Sequence, residues 1–222
     1  MKVIQCWDDG LLDDIRLVEI FRHYGAKATF CLNPGLYKQE RSLGWMHGDK
    51  EVWRLSLNEL GHVYKGFDIA SHSMTHPCLT DLPIDRLWWE INESKTMLES
   101  IFNRAVSGFC YPFNAYNNII KEEVRSAGYV WARGGADTGN IISLDDLFDL
   151  RPSCHFLSEN FLKIFHQARD QNGIFFFWGH SYELMTENMW NKFRKTIEMM
   201  ATDPEIEWCN ISELIHHVQS SE

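Results

Sequence analysis

The fold is decided near the N-terminus by the stretch VIQCWDDG, residues 3–10. Its first five residues form a largely apolar run, which is typical of a strand buried on both faces of a sheet. Two adjacent aspartates and a glycine end this run, and apolar residues at helical spacing follow over residues 11–24. Gly25 is placed to end that helix. A buried strand followed at once by a helix is the repeating unit of a parallel α/β sheet.

The same alternation continues almost to the C-terminus. Predicted strands cover residues 2–7, 28–32, 67–71, 106–111, 129–133, 149–156, 174–180 and 206–209. Predicted helices cover residues 11–24, 83–102, 117–127, 158–172, 186–201 and 211–219. A glycine-containing loop is expected after residue 32, before a short helix that Ser56 and Glu59 cap. The pattern favours a closed or nearly closed α/β barrel of about seven parallel strands with outer helices, and an open doubly wound sheet is the alternative.

Composition limits the classes of protein that fit. The 222 residues, 45% of them hydrophobic, suit a single domain spanning 1–222. Thirty-one acidic against 21 basic residues give a net charge of -10, which argues against nucleic acid or an anionic membrane as a partner. With no signal sequence or membrane span apparent, we expect a cytoplasmic protein. The six scattered cysteines are expected to be buried reduced thiols.

Polar residues cluster at or directly after the ends of four of the predicted strands, and parallel strands place their carboxyl ends on one rim of a barrel. The residues concerned are Asp8 and Asp9, His72 and His76 in ASHSMTH, the stretch YPFNAY at residues 111–116, and His180 in GHSYE. Residues in such positions usually carry function. We therefore expect these side chains to lie around one site.

Two histidines four residues apart, with a carboxylate nearby, are ligands for a divalent metal that keeps open coordination positions. Taken alone, His72 and His76 fit satisfied structural histidines equally well, and an Asp-Gly pair after a strand is often only a turn. Joint placement on one rim favours the metal site. One aspartate would then bind the metal and stay ionised, while its neighbour accepts a proton as general base.

The sequence resembles the polysaccharide deacetylase family, carbohydrate esterase family four. Five motifs occur in the family's order: CWDDG, KATFCLNPG, HSMTH, GFCYPFNAYN and GHSYE. Known members have a distorted (β/α) barrel, bind a divalent metal through Asp-His-His, and hydrolyse acetyl groups on sugars. The resemblance implies the same fold and an acetylated carbohydrate substrate for this chain.

The resemblance also implies a role for each matching residue. Asp9, His72 and His76 would bind the metal, Asp8 would be the general base toward a water activated by that metal, and His180 would be the general acid. Zinc is the first expectation for the metal, with cobalt, nickel, manganese and iron left open. Aromatic and polar residues at the strand ends are expected to contact the sugar: Tyr111, Pro112, Phe113, Asn114, Trp178 and Tyr182.

The sequence departs from the family at two places. Many members pair the base with an arginine of the third motif, where this chain has Cys110. Arg133, at the end of the YVWAR strand, is the proposed substitute, because a permanently charged forked donor suits a carboxylate. A structural arginine is the alternative. The fourth motif has no clear match, since Trp131 and Asp137 fit it poorly, so the partner of His180 is left open.

The leading interpretation is a metal-dependent hydrolase that removes acetyl groups, first of all N-acetyl groups, from a sugar or polysaccharide. Hydrolysis of another non-peptide C–N bond or of an O-acetyl ester uses the same chemistry and is the first alternative. A catalytically silent carbohydrate-binding barrel is the second, although a binder needs no base beside a metal. The identity of the substrate and the oligomeric state are left open.

Overall fold

A computed structural model of the chain describes residues 1–140, 142 and 144–219. In these residues the strands are β1 Lys2–Asp8, β2 Thr29–Leu32, β3 Ser42–His47, β4 Lys50–Arg54, β5 Asp68–Ser71, β6 Gly108–Cys110, β7 Trp131–Arg133, β8 Cys154–His155, β9 Ile174–Gly179 and β10 Glu207–Trp208. The helices are α1 Asp14–Tyr24, α2 Leu60–Val63, α3 Ile84–Phe102, α4 Asn118–Ser126, α5 Phe161–Asp170, α6 Glu187–Thr202 and α7 Ile211–Gln219.

The main sheet is parallel throughout. Its strands follow the order β7-β6-β5-β2-β1-β9-β8, and β10 pairs with the start of β1. The segment before β8 brings the two ends of the sheet together. Leu150 exchanges backbone hydrogen bonds of 3.0 Å with Ala132 and Gly134, and Ser153 N donates to Phe176 O at 2.7 Å. The sheet therefore curls into the distorted barrel with outer helices that the sequence predicts.

Apolar burial explains why these segments form the barrel. The central strands β1 and β9 contribute Trp7 and Phe177, both fully buried, and Trp7 packs edge-on against Phe193 of α6 with ring centroids 5.2 Å apart. The first helix begins beside Asp14, whose carboxylate accepts from Leu11 N at 3.1 Å and from the Tyr64 hydroxyl at 2.6 Å. It ends at Gly25, whose φ of 66° is the left-handed conformation that glycine adopts without strain.

The region after β2 differs from the prediction. Where a glycine-containing loop is expected, β3 and β4 form an antiparallel hairpin that turns at Gly48. This hairpin is separate from the main sheet, and its strand residues are exposed or half-buried apart from Val52, which is fully buried. A strand pair with so little burial lacks the apolar alternation by which strands are recognised in a sequence.

Other differences concern the lengths of elements. The strand expected at 149–156 is reduced to β8 and a single bridge between Leu150 and Arg133.

All six cysteines are free, and five of them are buried, in line with the expectation of reduced core thiols. Within the described part of the chain, none of the helices has the length and apolarity needed to span a membrane.

Candidate active site

The carboxyl ends of β1, β5, β6, β7 and β9 surround a cavity of about 550 Å³. Such a volume suits a small ligand. The residues predicted from the sequence that line it are Asp8, Asp9, His72, His76, Tyr111, Phe113, Asn114, Arg133, Trp178, His180 and Tyr182. The structure thus brings the predicted side chains to one place, apart from Pro112, which is buried beside the lining.

Asp9, His72 and His76 form a compact group of potential metal ligands. One ligand atom from each lies within 4.8 Å of the other two. The two Nε2 atoms of the histidines are 3.1 Å apart, and His76 Nε2 is 3.7 Å from Asp9 Oδ1. Burial, and to a smaller extent the neighbouring charge of His72, lower the pKa of His76 to about 4. Neutral imidazole nitrogens are the form that binds a metal.

The surrounding chain orients these ligands. His72 Nδ1 lies 2.9 Å from Cys110 O, and since a carbonyl only accepts, Nδ1 carries the proton and Nε2 is left for a metal. The Asn33 side chain donates to the His72 carbonyl, and Ser73 Oγ accepts from His76 N at 3.0 Å. The donor types and this second layer of support fit a divalent cation such as zinc.

Backbone conformation also marks the site. Among the described residues, seven non-glycine residues have positive φ, and five of these lie at the cavity or in its loops: Asp9, Ser73, His76, Phe113 and Asn114. Such conformations cost free energy and persist where the surrounding structure enforces them, most often at functional sites.

Asp8 lies in the wall behind the candidate metal ligands. Burial raises its pKa to about 6, although the charge of Arg133 acts in the opposite direction. Arg133, at the end of β7, is fully buried and its Nη2 donates to Asp8 Oδ1. Cys110 lies beside the same carboxylate, with Sγ 3.7 Å from Asp8 Oδ2. Arg133, at the end of β7, thus contacts Asp8, as the sequence predicts. Its importance for catalysis stays a prediction.

Replacing Arg133 with Gln is expected to raise the pKa of Asp8 further, because burial would then act without a compensating cation. A base must be ionised, so the acidic limb of the pH profile for kcat/KM should move to higher pH. The loss of a buried partner should also cost about 3–5 kcal/mol of unfolding free energy. Arg133→Lys keeps the charge and serves as the control. An unchanged acidic limb in a folded Arg133→Gln protein would show that Arg133 is only structural.

His180 has a carboxylate partner that the sequence analysis left open. Its Nε2 is 4.0 Å from Asp9 Oδ2, while its Nδ1 lies 3.1 Å from Glu183 Oε2. The same Glu183 oxygen accepts from His155 Nε2 at 2.9 Å. Leu157 N donates to His155 Nδ1 at 3.3 Å, which leaves the proton of His155 on Nε2.

This partner affects protonation. Burial by itself lowers the pKa of His180, but the hydrogen bond to Glu183 and the charges of Asp8 and Asp9 outweigh it, so the pKa is raised. Glu183 thus binds two imidazoles, those of His155 and His180. Asp137, the weak match to the fourth motif, accepts from Trp178 Nε1 and from His155 N, both at 2.9 Å.

Glu183→Gln is expected to lower kcat by about 10-fold or more, less than the roughly 100- to 10,000-fold that a proton-transferring group itself contributes, because His180 is still present. The basic limb of the pH profile should also move to lower pH, because the amide no longer favours the protonated form of His180. Glu187→Gln, which changes an exposed carboxylate paired with Arg16, is the matched control. An unchanged basic limb in Glu183→Gln would show that Glu183 does not set the pKa of the catalytic acid.

The predicted sugar-contacting residues differ in exposure. Tyr111 is buried, with its hydroxyl on Phe148 O at 3.0 Å, whereas Phe113 is 68% exposed and its ring lies 4.6 Å from that of His76. Asn114 Oδ1 accepts from Gly135 N at 3.0 Å. Phe113 is therefore exposed at the cavity, whereas Tyr111 forms part of its buried wall.

Four lining residues are not among the predicted site residues: Cys110, Gly135, and Trp45 and Arg54 from the hairpin. Trp45 and Arg54 line the same cavity as Trp178 and His180. Trp45 packs edge-on against Tyr182, with ring centroids 5.3 Å apart. Because the region was expected to be a loop, no pattern placed these side chains at the barrel rim.

The structure is an α/β barrel whose polar side chains gather at the carboxyl ends of its strands, which is where α/β barrels carry their active sites. More particularly, the chain belongs to the polysaccharide deacetylase family, whose model matches residues 1–132. The match ends just before Arg133, so it does not cover Arg133, His180 or Glu183. A curated relative, the Bacillus subtilis protein YxkH, named as a polysaccharide deacetylase, is 25% identical over 128 residues. These residues are 57% of this chain and 42% of YxkH, so the match spans less than half of that relative.

Solved structures share the fold. The Xyl-CE4 domain of a multidomain xylanase, from the hindgut metagenome of Trinervitermes trinervoides, has a TM-score of 0.65 at 17% identity, over 98% of this chain and 91% of that one. The Bacillus subtilis peptidoglycan deacetylase PdaC has a TM-score of 0.61 at 14% identity, over 99% and 92%. The Streptococcus pyogenes deacetylase PplD, in complex with acetate, has a TM-score of 0.55 at 23% identity, over 66% and 61%.

Proposed function

We propose that this protein is a metal-dependent hydrolase that removes acetyl groups from a carbohydrate, with N-acetyl groups as the first expectation. The observation that carries the proposal is one cavity that holds three potential metal ligands, a buried Asp8–Arg133 pair and a His180–Glu183 pair. The membership in the polysaccharide deacetylase family supports it. We also propose that residues 1–222 act as one catalytic domain, since the cavity residues extend from Asp8 to Tyr182.

Asp9, His72 and His76 would hold the divalent cation. When bound, that cation would supply Lewis acidity toward the acetyl carbonyl and toward a water molecule. Their two imidazoles and one carboxylate accept zinc, cobalt, nickel, manganese or iron, with zinc the first expectation. His72 is held in the right tautomer by Cys110 O, and the loop of His76 is held by Ser73.

Asp8 is the proposed general base. With a pKa of about 6, its carboxylate is mostly ionised at neutral pH and is still basic enough to accept a proton from water. Arg133 holds one oxygen, Oδ1, while the other, Oδ2, lies 4.0 Å from His72 Nε2 and so faces the candidate ligands. This orientation gives the two adjacent aspartates separate tasks, with Asp8 as base and Asp9 as ligand.

His180 is the proposed general acid. Its Nδ1 proton is engaged by Glu183, so its Nε2 is the atom that delivers a proton to a leaving amine. The raised pKa favours the imidazolium form of His180. An unprotonated amine nitrogen is a much poorer leaving group than an alkoxide oxygen, so N-deacetylation depends more on a proton donor. A dedicated acid therefore favours N-acetyl over O-acetyl substrates.

The same residues bear on the two alternatives, hydrolysis of another C–N bond and a silent carbohydrate-binding barrel. A different non-peptide C–N bond would use the same base and acid, and substrate tests alone separate it from N-deacetylation. A silent carbohydrate-binding barrel needs neither the buried Asp8–Arg133 pair nor the His180–Glu183 pair, and a buried ion pair kept without catalytic use brings little stability.

The experiment is acetate release from paired N-acetylated and O-acetylated sugars. The protein is stripped with a chelator and then reloaded with zinc, cobalt, nickel, manganese or iron in separate samples. We expect release only from reloaded protein and faster release from N-acetylated sugars. Release that is undiminished after stripping would contradict the metal requirement, and metal binding without release from any acetylated sugar would contradict the deacetylase function.

A further inference from the structure

The hairpin brings a cation to the cavity that the proposed chemistry does not use. Arg54 ends β4, is partly buried and lines the cavity, with its Cζ 5.2 Å from the centroid of the Trp45 ring. Its Nη1 donates to Asp9 O at 3.1 Å. In the described part of the chain this is its one side-chain hydrogen bond, and no carboxylate oxygen lies within 4.0 Å of its nitrogens. Most of the five N–H donors of this guanidinium are therefore available.

A purely structural role explains little of this arrangement. The Asp9 carbonyl already accepts from the Tyr37 hydroxyl at 3.2 Å, so it does not depend on Arg54. Seven arginines pair with acids, such as Arg133 with Asp8 and Arg41 with Glu59. Among the described residues, the three others that have no acid within 4.0 Å, Arg22, Arg104 and Arg194, are exposed to solvent, whereas Arg54 is partly buried. Leaving a partly buried guanidinium without a counterion is unfavourable, in a chain that has 31 acidic against 21 basic residues. A bound anion would remove that cost.

We infer that the substrate carries an anionic group, a carboxylate or a phosphate, next to the acetylated position, and that Arg54 binds it. This inference rests on the proposed deacetylase function and names the substrate class. Arg54 contacts the backbone of Asp9, so the anion lies within about one sugar ring of the candidate metal ligands. Guanidinium binds carboxylate and phosphate through paired hydrogen bonds. Trp45 holds the guanidinium plane in place and offers an aromatic surface beside it.

The net charge of the chain limits the kind of anion. A charge of -10 repels a long polyanion, whereas a single charge placed at Arg54 meets a local cation. The cavity of about 550 Å³ also suits a small substrate or one unit of a chain. We therefore expect a singly substituted acetylated sugar rather than a polyanionic polymer.

The test compares kcat/KM for three sugars with the same acetamido group. These are N-acetylglucosamine, N-acetylglucosamine 6-phosphate and N-acetylmuramic acid, which carries a carboxylate. The wild type should prefer at least one charged sugar over the neutral one by about 10-fold or more, the value of a charge-assisted hydrogen bond. Arg54→Gln should bring that ratio close to one, and Arg54→Lys should keep part of it. Arg41→Gln, whose arginine is paired with Glu59 on the surface, should keep all of it. The phosphate and carboxylate arms show which anion is recognised.

Equal kcat/KM for charged and neutral sugars in the wild type, or an unchanged ratio in Arg54→Gln, would overturn the inference while leaving deacetylation intact. Calorimetry covers the case in which no sugar releases acetate. Glucosamine 6-phosphate or muramic acid should then bind the wild type more tightly than Arg54→Gln, and glucosamine should show no such difference. Equal binding of both charged probes to the two proteins would overturn the inference independently of catalysis.

Discussion

Asp8→Asn is expected to lower kcat for acetate release by about 100- to 10,000-fold, the range attributed to general acid–base catalysis. The amide has nearly the same shape as the carboxylate and can still accept from Arg133, but it does not take a proton from water. The candidate metal ligands are untouched, so metal content should not change. The measurement is steady-state acetate release together with metal content of the same preparations.

Asp49→Asn is the matched control for this change, because Asp49 lies exposed in the hairpin turn. It should behave as wild type in both measurements. If Asp8→Asn kept more than about a tenth of wild-type kcat at full metal content, Asp8 would not be the general base.

His72→Ala is expected to remove both metal and activity. His72 is buried, and its Nε2 lies 3.1 Å from His76 Nε2, so no other imidazole takes its place. The loss of metal affinity should exceed the roughly 10- to 100-fold that changing a supporting residue around a metal site costs. Equilibrium dialysis against zinc, followed by acetate release, measures both effects.

The control for His72→Ala is His62→Ala, which removes an exposed histidine on α2. It should bind metal as the wild type does. Wild-type metal affinity in His72→Ala would show that the cation binds elsewhere. Two other groups of potential ligands would then be the next sites to examine: Asp8, Cys31 and Cys110, and His155, His180 and Glu183.

The gathering of the site at one rim was predictable because it follows from chain topology. Residues that follow parallel strands must meet at the carboxyl edge of the sheet, so Asp8, His72 and His180 fall together whatever the details of packing. The contact between Arg133 and Asp8 was predictable for a related reason. The usual arginine position holds Cys110, and Arg133 ends the strand that pairs with the strand of Cys110.

The remaining features depend on contacts that sequence spacing does not encode. Glu183 reaches His180 because the chain turns sharply after β9, and it reaches His155 only because β8 lies beside β9. Trp45 and Arg54 belong to a hairpin with too little burial to produce a recognisable strand pattern. The carboxylate of Glu183, three residues after His180, was visible in the sequence, and a turn brings such positions together. The sequence did not show which side chains this carboxylate would bind.

The most direct test of the central claim is acetate release by zinc-loaded wild type beside Asp8→Asn and His180→Ala, with metal content measured in all three. We expect wild type to release acetate from an N-acetylated sugar, and both variants to bind metal normally while releasing acetate at least about 100-fold more slowly. Fully metal-loaded wild type that releases no acetate from any N- or O-acetylated sugar, or variants as active as the wild type, would contradict the account.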